Sequence, residues 1–99
     1  MPRPVKLDDQ ALSSALARLT NWSVVSGKLH RDFKFADFAA AFGFMAMAVS
    51  TIEKMDHHPE WSNVYSRVSV DLVTHDAGGI TQLDVDLAAK LDQIAAKLA

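Results

Sequence analysis

The 99-residue chain contains no cysteine. That excludes a disulfide scaffold and any metal site built on thiolates. It also lacks a charge excess of one sign. Ten Lys and Arg stand against 12 Asp and Glu, a formal net charge of −2, and the charges are spread along the sequence. Without a basic stripe, direct binding of nucleic acid by charge is not expected. Long hydrophobic runs are missing too. The longest, Phe38 to Val49, falls short of the roughly 20 apolar residues that span a bilayer and suits a buried helix. The first residues, Met1-Pro2-Arg3-Pro4-Val5-Lys6, carry no hydrophobic segment of the signal-peptide kind. No internal repeat or low-complexity segment is visible. A soluble, cytoplasmic protein with no membrane partner is the expectation.

What is present suits a compact fold. Apolar residues make up 49% of the chain, and the length is that of one domain, taken here as residues 1–99. A domain of this size buries about 60–70% of its unfolded surface.

Asp8 is placed to cap a first helix, with Leu12, Ala15, Leu16 and Leu19 as its apolar stripe and Thr20-Asn21 as its end. Trp22 to Val25 and Leu29 to Phe35 read as two strands around a turn at Ser26-Gly27-Lys28. In the second strand Leu29, Arg31, Phe33 and Phe35 face one way. His30, Asp32 and Lys34 face the other, which should be wet. Asp37 caps a second helix whose expected inward stripe is Phe38, Phe42, Met45, Val49 and Ile52. The other faces of its first turns are also apolar, so a subunit interface is the expected second cover. Asn63 to Thr74 reads as strand with a bend near Ser66. Thr81-Gln82-Leu83-Asp84 has the spacing of a capping box opening a third helix. This order points to an α+β fold with helices packed on one face of a small antiparallel sheet.

Three of the four histidines sit at junctions between these elements: His57, His58 and His75. Imidazole, with an ordinary pKa of about 6.5, can give and take a proton near neutral pH. Glu53 and His57 are four residues apart and share a helix face if the helix reaches His57. Glu53 would then orient the ring of a general acid or base. The structural alternative is a helix-end histidine favoured by the macrodipole. Pro59 pushes His58 out of the helical region, so the two neighbouring rings should diverge. That divergence, and the lack of any His-x-x-x-His pair, argue against a shared metal ion. His75 ends a strand before the Gly78-Gly79 loop, where a scaffold presents functional groups. His30 reads as a surface residue. Trp61 could stack on a planar ligand or serve as a core or interface tryptophan. Asp84 could bind a ligand or simply cap the third helix.

Taken together, Glu53-Lys54-x-x-His57-His58-Pro59-Glu60-Trp61, Val64-Tyr65, Thr74-His75, Gly79-Ile80-Thr81 and Asp84 resemble the pterin-4a-carbinolamine dehydratase family. Phe42-Gly43-Phe44-Met45, Trp22 and Asp37-Phe38 are similar to it as well, and the resemblance runs from about Leu7 to Leu98. It implies a four-stranded antiparallel sheet with three helices on one face. It implies loss of water from a 4a-hydroxytetrahydropterin to give a quinonoid dihydropterin, in recycling the pterin of aromatic amino acid hydroxylases. His57, His58 and His75 match the family's active-site histidines. His57 and His75 are expected to exchange protons and His58 to hold the pterin, with Glu53, Trp61 and Asp84 lining or buttressing the site. No metal or redox cofactor is implied, the pterin being the substrate. A homodimer or homotetramer is implied. So, as the alternative, is a non-catalytic binding, assembly or transcription-cofactor role acting through the oligomer interface.

Overall fold

The computed structural model describes residues 4–98. The reading of the first three residues as part of a segment without signal character therefore lies outside it. Helix α1 (Asp9–Arg18) starts where Asp8 accepts a hydrogen bond from the Ala11 N–H at 2.8 Å. Strands β1 (Ser23–Val25) and β2 (Lys28–Lys34) form a hairpin. Its two-residue turn, Ser26-Gly27, has φ of +52° and +77°, a geometry whose twist matches that of the flanking strands. Helix α2 (Phe38–Met55) is capped by Asp37, which accepts from the Ala40 N–H at 2.8 Å. Strands β3 (Glu60–Val64) and β4 (Arg67–Leu72) form a second hairpin, and helix α3 (Gln82–Ala96) closes the fold.

The four strands make one antiparallel sheet in the order β1-β2-β4-β3. Side chains alternate across it. Leu29 and Phe33 of β2 and Val68, Val70 and Leu72 of β4 are buried, and the helices supply Ala15, Ala41, Phe44, Ile52, Leu87 and Leu91 to the same core. Each large apolar side chain buried there contributes about 1.5–3 kcal/mol. Phe44 lies 4.7 Å from Phe33 and 5.1 Å from Phe35, centroid to centroid. Asp92 of α3 accepts from Trp22 Nε1 at 2.9 Å and pairs with Arg31 at 2.5 Å, tying the rim of the sheet to α3. The opposite face, with Asp32, Lys34 and Arg67, is open to solvent.

Two expectations need correction. The inward stripe of α2 is Ala41, Phe44, Ala48 and Ile52; of the expected stripe Ile52 is buried and Met45 packs against the core, but Phe38, Phe42 and Val49 are 49%, 58% and 50% exposed. Both stripes are apolar at helical spacing, so periodicity could not choose between them. The alanines let α2 lie close to its neighbours, and Phe44 and Ile52 fill the core. By length and mean hydropathy (18 residues, 1.2) α2 also matches a membrane span, yet its buried face belongs to this core. The second correction concerns β3, which begins at Glu60 rather than Asn63. Pro59 pins the backbone in an extended form just ahead of it.

Candidate active site

The end of α2 decides where the two adjacent histidines go. The helix stops at Met55, and Asp56 takes the left-handed conformation with φ +50°. The Asp56 N–H donates to Glu53 O, and the His57 N–H donates to Ile52 O. This is the six-to-one and five-to-two closure that ends many helices. It takes His57 off the Glu53 face. His57 turns inward, 9% exposed, and His58 stays outside.

His57 Nε2 lies 2.5 Å from Asp84 Oδ1. Asp84 has no exposed surface, and its other oxygen, Oδ2, accepts from the Thr81 N–H at 2.8 Å and from Thr74 Oγ1 at 2.9 Å. Thr81 caps α3 in return by accepting from the Leu83 N–H. Asp84 is thus both the helix cap and the residue that holds His57. With acceptor-only oxygens facing it, the His57 Nε2 carries the proton and donates, leaving Nδ1 uncommitted.

The expected Glu53–His57 pairing is replaced by Glu53–His58, with Glu53 Oε2 and His58 Nε2 3.3 Å apart and both side chains exposed. His75 opens a single 3₁₀ turn, His75–Ala77, closed by the bridge between Thr74 and Gly79 and by Gly78 in the left-handed region at φ +74°. Its Nε2 meets Glu60 Oε2 at 2.9 Å. All three imidazoles therefore engage a carboxylate through Nε2.

The three rings share one cleft of about 230 Å³, lined by Asp56, His57, His58, Val73, Thr74, His75 and Asp76. Of the other expected site residues, Glu53 and Asp84 stand behind histidines. Trp61 is half-buried and packed against the core. Residue reading missed Asp56, Asp76 and Glu60. The one local signal available was an Asp at the helix end, a residue type that tolerates the left-handed conformation Asp56 adopts.

His30, expected at the surface, is half-buried on the open sheet face. It lies between Asp71 (Nδ1 to Oδ1, 2.9 Å) and Asp32 (Nε2 to Oδ2, 3.2 Å). The Asp71 hydrogen bond most of all, then that of Asp32, raises its pKa above the ordinary 6.5 against an opposing cost of burial. Both nitrogens are committed, and His30 lies outside the cleft. A larger cavity, about 370 Å³, lies between Arg31, Phe35 and the end of α3. It contains no histidine, and its carboxylate, Asp92, is already satisfied by Trp22 and Arg31. The three histidines at the element junctions line the smaller cleft.

Comparison with known proteins identifies the family. The family model described as pterin 4 alpha carbinolamine dehydratase matches residues 5–94. A protein of Solibacter usitatus, provisionally named a pterin-4-alpha-carbinolamine dehydratase, is 59% identical over 92% of this chain and 96% of its own length. A Jannaschia protein carrying the same provisional name is 51% identical over 91% of this chain and 96% of its own. A crystal structure from Brucella melitensis, described as a transcriptional coactivator/pterin dehydratase, superposes with a TM-score of 0.87 at 48% identity, covering 91% of this chain and 98% of that one. The chain belongs to the pterin 4 alpha carbinolamine dehydratase family.

Proposed function

We propose that this protein removes water from a 4a-hydroxytetrahydropterin, with His57, His58 and His75 handling the protons. The observation that supports this is the meeting of three imidazoles in one cleft, each with a carboxylate at Nε2 and, among the described residues, no hydrogen bond at Nδ1. Hydroxide is a poor leaving group, so one imidazolium protonates the 4a oxygen as the C4a–O bond breaks. The N5–H proton passes to a neutral imidazole, and the electron pair it leaves forms the C4a–N5 double bond of the quinonoid dihydropterin. Atoms and electrons balance without an oxidant or reductant, so the reaction calls for no metal or redox cofactor, and the pterin is the substrate. Proton transfer of this kind is worth about 10²–10⁴-fold for each group. His57 and His75 exchange protons with the reacting centre, and His58 holds the pterin and shares the proton work. In this reading the protein works in the cytoplasm, and its product feeds a reductase that serves an aromatic amino acid hydroxylase.

His58 and His75 are largely exposed, with 60% and 73% of their side-chain surface free. Replacing either with Ala should leave folding unchanged and lower turnover at least about tenfold. Full dehydration rates in both variants would overturn the proposal.

The exposed Phe38, Phe42 and Val49 on α2 support self-association as a homodimer or homotetramer. They also support a second reading, a binding or transcription-cofactor role acting through that face, which the description of the Brucella melitensis structure joins to pterin dehydration. Capture of a partner by a variant lacking the cleft histidines would favour it.

A further inference from the structure

Glu60 opens β3, at the edge of the sheet beside β4. Both of its carboxylate oxygens are engaged. Oε1 accepts from Lys28 Nζ at 2.5 Å, and Oε2 meets His75 Nε2 at 2.9 Å. Lys28 opens β2, which lies on the far side of β4. Its side chain crosses the open face of the sheet to reach Glu60. Three segments distant in sequence thus converge on one carboxylate. The hydrogen bond from Lys28 first, then that from His75, holds the Glu60 carboxyl below the usual carboxylate range. Glu60 therefore stays an anion at neutral pH.

His75 needs such a partner. It sits on a single 3₁₀ turn with 73% of its side chain exposed, so packing does little to select its rotamer. His57, at 10% exposure against Asp84, has packing to do this. An exposed ion pair contributes little to stability. A misplacement of about 1 Å at a reacting group can cost about 100-fold in rate. The value of the Lys28–Glu60–His75 chain is therefore in placement.

Resting on the reading of the cleft as a dehydration site, we propose that Glu60, braced by Lys28, is a positioning residue that fixes the ring of His75 and leaves its Nδ1 to the substrate. Glu60 does not line the cleft and acts through His75 alone.

The full-length protein and its Glu60→Ala, Glu60→Gln and Lys28→Met variants separate this from a structural role. Glu60→Ala should lower kcat for dehydration about tenfold, with KM changed less than about twofold and an unchanged melting midpoint. Glu60→Gln keeps an acceptor oxygen and should recover most of kcat, and Lys28→Met should fall between. Three-bond NMR couplings about χ1 of His75 give a readout that needs no substrate. They should report one rotamer in the parent protein and averaging in Glu60→Ala. Unchanged couplings, or an unchanged kcat in Glu60→Ala, would overturn the positioning role. If the parent protein shows no dehydration at all, the pterin reading falls, and the couplings still decide what Glu60 does.

Discussion

Asp84 divides its two oxygens between a helix cap and a histidine. Oδ2 serves Thr81 and Thr74, and Oδ1 serves His57. An Asn at this position would have one acceptor and one donor. If its oxygen keeps the Thr81 N–H, its NH₂ faces His57 Nε2 and forces the ring to carry its proton on Nδ1. If it serves His57 instead, the cap is lost. Asp84→Asn should therefore cost about 1–3 kcal/mol in urea unfolding and also lower the dehydration rate. Unchanged stability would show that the cap and the histidine contact are not coupled through this residue. From sequence, Thr81-x-x-Asp84 offered a cap or a site residue as alternatives; the fold shows that one carboxylate caps α3 and contacts His57. The identity of the three cleft histidines was legible. The partners of His57 and His58 were not, because the left-handed Asp56 reassigns them over a single residue. His30 supports a prediction of its own. Its folded pKa is raised by Asp71 and Asp32. Its contribution to stability is thus full below the ordinary imidazole pKa and is lost as pH rises through the folded value. The stability difference between the parent protein and His30→Gln should be larger at about pH 5.5 than at about pH 9. Equal differences in urea midpoints at the two pH values would contradict the assigned clamp.

At the scale of elements, the turn after α2 has the greatest consequence for the cleft. Asp56 sits at φ +50°, where only Gly is free of strain and Asp is tolerated. Asp56→Gly removes that strain but loosens the unfolded chain, and the two effects should cancel to within about 1 kcal/mol. Asp56→Val, with a branched Cβ in the same conformation, should cost about 1–2 kcal/mol. It should also reduce dehydration, because the turn sends His57 and His58 to different partners. Urea unfolding of both variants checks the ordering Gly above Val. The order of helices and strands, the Asp8 and Asp37 caps and the Ser26-Gly27 hairpin were readable, since each rests on local chemistry. The inward face of α2 was not, because a helix apolar all round carries no periodic signal for its orientation. Nor was the start of β3, where Pro59 masks an extended segment as a helix stop.

For the molecule as a whole, the balance of its two surfaces matters. One sheet face is open and polar, knitted by Lys28–Glu60 and His30–Asp71. On the helical side α2 exposes Phe38, Phe42, Met47 and Val49. The sequence led to the expectation of a second cover for this helix. Burial of the other stripe in the core leaves these residues exposed. Phe42→Glu should shift an oligomer toward monomer in sedimentation velocity while leaving the cleft's own geometry unchanged, since Phe42 points away from it. An unchanged sedimentation coefficient would place self-association elsewhere.

The most direct test is the rate at which freshly generated 4a-hydroxytetrahydropterin becomes quinonoid dihydropterin, followed by absorbance, with and without the protein. The parent protein should accelerate the step well above the spontaneous rate, and a variant with His57, His58 and His75 all replaced by Ala should return it to that rate. A parent protein no faster than buffer, or a triple variant as fast as the parent, would contradict the three-histidine dehydration site.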